Sequence, residues 1–129
     1  MEELISRITS SVGIDASTTQ SAVGIILDFL NKEGPQDAVS QVLDAIPGAR
    51  DAVEAAAGGG SGGLMGSIGS MMGGGGGLMA AAGRLMSAGL GMGEIQQVTQ
   101  ETIAFAREKA GDEVVSKIIA AIPGLDQFA

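Results

Sequence analysis

The sequence predicts an all-α protein: about six helices in two three-helix repeats, related by a pseudo-twofold axis and joined by a glycine-rich insertion. Three observations predict it. Ten residues recur at a constant separation of 76, without a gap, when residues 11–52 are laid against 87–128. Apolar residues follow the three-and-four spacing of a helix face, and period-two alternation is not sustained anywhere. Between the two copies lies a stretch with no charged residue from Ala55 to Gly83.

The matched residues are Ser11 with Ser87, Gly13 with Gly89, Gln20 with Gln96, Phe29 with Phe105, Val39-Ser40 with Val115-Ser116, and Ala45-Ile46-Pro47-Gly48 with Ala121-Ile122-Pro123-Gly124. Val42/Ile118 and Leu43/Ile119 differ but stay apolar. In the first copy, Leu4, Ile5, Ile8 and Val12 lie on one helical face, and Gly13 is placed to end that helix. Ser17 or Thr18 can cap a second helix carrying Ala22, Val23, Ile26, Phe29 and Leu30, which Gly34-Pro35 stops. A third carries Ala38, Val39, Val42, Leu43 and Ile46 and closes at Pro47-Gly48.

The second copy repeats the scheme over Leu78–Leu90, Glu94–Lys109 and Asp112–Ile122. Asp112 and Glu113 fall in a first helical turn, where negative charge interacts favourably with the helix dipole, and Gln36-Asp37 stands in that place in the first copy. The expected organisation is a first repeat over 1–57, an insertion over 58–77 and a second repeat over 78–129, folded as one compact domain with Phe29 and Phe105 at equivalent core positions.

The insertion and its flank are a different material. Residues 58–93 hold 16 of the 22 glycines and six of the seven methionines. Each glycine costs a helix about 1 kcal/mol relative to alanine, so Gly73–Gly77 favours no helix by propensity. Gly58, Gly62 and Gly66 form a small-xxx-small series, as do Gly69, Gly73 and Gly77, a spacing that lets helices approach closely. The strongly apolar residues here are Leu64, Met65, Ile68, Met71, Met72, Leu78 and Met79, the expected self-association or partner surface.

Composition excludes several function classes. Net charge is −8, and residues 1–57 carry nine acids against three bases. Clustered Lys and Arg are needed to neutralise phosphate, so no nucleic-acid partner is expected. Cysteine and histidine are absent, which removes a thiol nucleophile, the usual base of a triad and the commonest transition-metal ligand. The sequence Gly59-Gly60-Ser61-Gly62-Gly63 satisfies a nucleophile-elbow pattern only formally, since neither a strand nor a histidine accompanies it. The acidic residues, such as Glu33, Asp37, Asp44, Asp51 and Glu54, match no calcium loop and suit solvated helix faces. The expectation is no catalytic residue, no metal and no cofactor.

Met1-Glu2-Glu3, with no apolar run behind it, predicts no signal peptide and a cytoplasmic location. The 29 uncharged residues of 55–83 exceed the roughly 20 needed to span a bilayer. Most are glycine, serine or alanine, without flanking aromatics or a basic cluster, so a stable span is disfavoured.

Glu3-Leu4-Ile5, the Gly13-Ile14 and Gly89-Leu90 turns, the paired Ala-Ile-Pro-Gly endings and the glycine-rich middle resemble small uncharacterised bacterial domain-of-unknown-function proteins. That resemblance implies a helical, cytoplasmic bacterial protein and transfers no catalytic residue. The resulting expectation is a non-enzymatic structural or protein-interaction protein, homo-oligomeric or bound to a protein partner, with the glycine- and methionine-rich segment as linker or contact surface. The alternative is peripheral membrane or lipid association through residues 55–83.

Overall fold

In a computed structural model the chain is all-α, and residues 2–58, 78–122 and 124–127 are described. Among them are seven α-helices and one 3₁₀ turn: α1 Glu2–Val12, α2 Ala16–Glu33, α3 Gln36–Ala45, α4 Ala49–Gly58, α5 Leu78–Ser87, α6 Met92–Ala110, α7 Asp112–Ala121, and the turn Leu125–Gln127. The expected count of about six helices is corrected by α4. After Gly48 the run Ala49-Arg50-Asp51-Ala52-Val53-Glu54-Ala55-Ala56-Ala57 consists largely of strong helix formers, yet between Ala49 and Ala56 the buried side chains are Ala49 and Val53. A stripe that thin gives little periodic signal. After Gly124, Leu125–Gln127 form the short turn.

The second helix starts earlier than Ser17 or Thr18 predicts. Asp15 is its N-cap, extended at φ −73° and ψ 159°, and the Thr18 hydroxyl donates to Asp15 Oδ1 at 3.1 Å. The carboxylate is thus held by a side chain one turn on rather than by a backbone N–H. At the start of α6 the Gly91 N–H donates to Glu94 Oε1 at 2.8 Å, which satisfies a donor that the helix itself leaves open.

The central element is α2. Every residue from Ala22 to Leu30 is buried, so this helix is enclosed on all sides. It contacts α1, α3, α4, α5 and α6, while α3 also packs on α6 and α7. By contrast α6 buries one stripe, with Ile95, Val98, Thr99, Thr102, Ile103, Phe105 and Ala106 facing the core. Both Phe29 and Phe105 are buried, as expected. Thr99 and Thr102 donate their hydroxyls to the carbonyls of Ile95 and Val98 at 2.7 and 2.8 Å, so both are satisfied in the interior.

Chain reversal after α3 and after α7 relies on one backbone conformation. Gly48 and Gly124 have φ of +86° and +87°, a region that L side chains adopt only with strain. At the first of these turns, Ala49 N–H donates to the Ile46 carbonyl; at the second, Leu125 N–H donates to Ile122. Gly48→Ala is therefore expected to cost about 1–2 kcal/mol in urea unfolding, with no loss of helicity by circular dichroism in the folded baseline.

Candidate functional site

The polar centre of the molecule is a carboxylate in an apolar run. Asp28 lies within Ile25-Ile26-Leu27-Asp28-Phe29-Leu30 and is 1% exposed. Its Oδ2 accepts a hydrogen bond from Arg84 Nη1 at 2.8 Å and lies 3.1 Å from Lys32 Nζ. Arg84 Nη2 also donates to the Ala56 carbonyl at 2.7 Å. One guanidinium therefore ties α2, the last turn of α4 and α5 together. Its charge also lies at the carbonyl end of α4, where the helix dipole favours a cation.

What brings α4 to that guanidinium is a missing side chain. A Cβ at Gly24 would lie 2.9 Å from the Ala52 carbonyl oxygen and 3.4 Å from the Ala56 Cβ. The two helices cross at backbone contact, and Ala56 reaches Arg84 as a result.

A second seam joins α1 to α6. Arg7 forms an ion pair with Glu108, and Lys109 lies 3.7 Å from Glu3. The Arg7 and Lys109 cations stand 5.6 and 5.3 Å from the centroid of the Phe105 ring, within cation–π range. The hydrogen bond from Arg7 holds the Glu108 carboxyl below its usual range and raises Arg7 further. A depressed folded-state pKa contributes stability that is present above the unfolded carboxylate value and lost as pH falls through the folded one. Glu108→Gln should accordingly flatten the fall in unfolding midpoint between about pH 5 and pH 3, read by thermal melts at stepped pH.

Of the expected contact surface, Leu64, Met65, Ile68, Met71 and Met72 lie outside the described residues. Leu78 opens α5, and Met79 is 79% exposed. Two further methionines join Met79 on the outside: Met86, one heptad along the same helix, is 50% exposed, and Met92 at the start of α6 is 72% exposed. Ala80 and Gly83 are also exposed, while Ala81 and Leu85 face inward. The surface of α5 and the entry to α6 is thus apolar. Between Ala55 and Gln100 the charged residues are Arg84 and Glu94, and both are engaged, with Asp28 and with the Gly91 N–H.

Sequence reasoning missed Asp28, although an acid inside six successive core positions marks it. The contact surface expected from the sequence stops at Met79; Met86 and Met92 extend it, and placing Met86 outside needed knowledge of which face α5 turns inward. Two shallow depressions, of about 220 and 390 Å³, open beside the turns after α3 and α7. In the first Arg50 is paired with Asp44 at 2.7 Å; the second is lined by Arg107, Ser116 and Asp126. Among the described residues no group of three or more acidic side chains is placed to hold a metal ion, and no helix is long and apolar enough to cross a membrane. No protein-family model, curated protein or solved structure matches the chain.

Proposed function

We propose that this chain is a non-enzymatic interaction protein, built on a duplicated helical unit, that self-associates through the methionine face of α5 and the entry to α6. The exposure of Met79, Met86 and Met92 carries the reading, because flexible thioether side chains on an uncharged surface adapt to an apolar partner surface. The insertion over 58–77 leads directly into that face, and its own apolar residues extend the same chemistry along the chain.

The duplication is supported by matched backbone and packing. Gly13 and Gly89 have φ of +85° and +108°, and Gly48 and Gly124 share theirs. The first helix of each unit lies on the second helix of the other, α1 on α6 and α5 on α2, while α2 meets α6 and α3 meets α7. Arg7 stands between buried Leu4 and Ile8 as Arg84 stands between buried Ala81 and Leu85, and each arginine bonds a carboxylate of the opposite unit. On this reading α4 is an addition to the first unit.

Met79→Lys combined with Met86→Lys tests the contact. Both positions are exposed, so stability should change by less than about 0.5 kcal/mol. Multi-angle light scattering should show the self-associated species reduced to monomer. An unchanged mass distribution sinks the reading. A second reading, peripheral attachment to a lipid surface, rests on the exposure of Met79 within the uncharged run 55–83. Flotation of the full chain with neutral lipid vesicles separates the two, since self-association through the methionine face predicts protein that stays in the unfloated fraction.

A further inference from the structure

All three ion pairs among the described residues that join positions far apart in sequence cross between the halves 2–58 and 78–127: Glu3 with Lys109, Arg7 with Glu108, and Asp28 with Arg84. The others are local, from Lys32 with Asp28 to Arg50 with Asp44 and Arg107 with Asp112. Helix contacts follow the same division. In the second half α5 rests on α2 and α7 rests on α3, so each half supplies the surface that the other covers. Arg84 also bonds the Ala56 carbonyl, so both hydrogen bonds of its guanidinium reach into the first half.

These surfaces are complementary and reciprocal, and none of their contacts requires both halves to belong to one chain. We propose that a second copy of this chain is a partner for the face formed by α1, α2 and α3, by reciprocal exchange of residues 78–127 between two chains. Two exchanged chains close into a dimer with a twofold axis, in which every interface of the monomer is formed twice. Residues 59–77 join the halves within one chain, and exchange competes with closure in that chain, so the exchanged fraction rises with protein concentration. Exchange uses none of the methionine side chains: Arg84 shares α5 with Met79 and Met86, but its guanidinium bonds Asp28 and the Ala56 carbonyl.

Complementary charge reversal in full-length chains tests it. One chain carries Asp28→Arg and the other Arg84→Asp. In either chain alone the two side chains repel, whereas in an exchanged heterodimer both sites regain opposite charges. The two are mixed at about millimolar concentration, unfolded in urea and refolded together by dialysis. Native mass spectrometry should then show a 1:1 dimer enriched about tenfold over either homodimer, a preference of about 1.4 kcal/mol. Because Asp28 is buried, a second pair guards against a chain that does not fold: Arg7→Glu with Glu108→Arg, both at the surface. Heterodimer above the statistical half in this pair supports exchange. Separate monomers, or a statistical distribution in both pairs, overturns it. The Met79→Lys, Met86→Lys background leaves the result unchanged and so distinguishes exchange from association through the methionine face.

Discussion

Arg84→Met lowers the stability of the fold by about 3 kcal/mol, because it leaves a buried carboxylate with one partly solvated lysine as its only cation. Asp28 is 1% exposed, and its hydrogen bond from Arg84 is what allows a charge to sit among Leu27, Phe29 and Leu30. The same substitution leaves the Ala56 carbonyl without its donor, so the end of α4 loosens as well. In a domain of this size the melting temperature should fall by roughly 10 °C. The decisive control removes the charge too. Asp28→Leu with Arg84→Met replaces an ion pair by packed apolar side chains, and such replacements are commonly neutral or stabilising. Recovery of most of the lost stability in the double variant identifies the orphaned carboxylate as the cause. If the double variant is as unstable as Arg84→Met alone, the pair does not act as described.

Gly24→Leu is expected to cost a similar amount, about 3 kcal/mol, by a different route. Its Cβ meets a backbone oxygen, Ala52 O at 2.9 Å, and backbone cannot rotate away as a side-chain tip can. The longer side chain forces α4 off α2. Gly24→Ala meets the same oxygen with one atom and should cost about 1 kcal/mol, since better helix propensity offsets part of the clash. Urea unfolding of the three proteins gives the series. Equal midpoints for glycine and leucine would falsify the close crossing of α2 and α4.

The two substitutions also show which parts of the molecule the sequence makes legible. Helix faces such as Val39, Val42 and Leu43, the stops at Gly13, Gly34-Pro35 and Gly48, and the burial of Phe29 and Phe105 all follow from spacing and local chemistry. These features depend on residues close together in the chain. The Asp28–Arg84 pair spans 56 positions, and nothing local to either residue announces the other. Laid against each other without a gap, the two copies also set Arg84 opposite Ile8 rather than Arg7. Three residues separate Leu85 from Gly89, against four between Ile8 and Gly13, because the last turn of α5 is tightened by bonds from Ala88 and Gly89 to Leu85 and Met86. Helix α4 escaped for a related reason: alanine-rich and thinly apolar, it is recognisable by what it covers.

That covering divides two helices of common pattern into different roles. Gly24, beneath α4, is buried, and at the matching place in α6 Gln100 faces solvent. With its enclosed run from Ala22 to Leu30, α2 can expose its amides only when several neighbours leave together, whereas the outer face of α6 is already wet. Opening of the native state is therefore graded. Deuterium enters α6 through small local excursions, and it enters the middle of α2 only at the free energy of losing the whole fold.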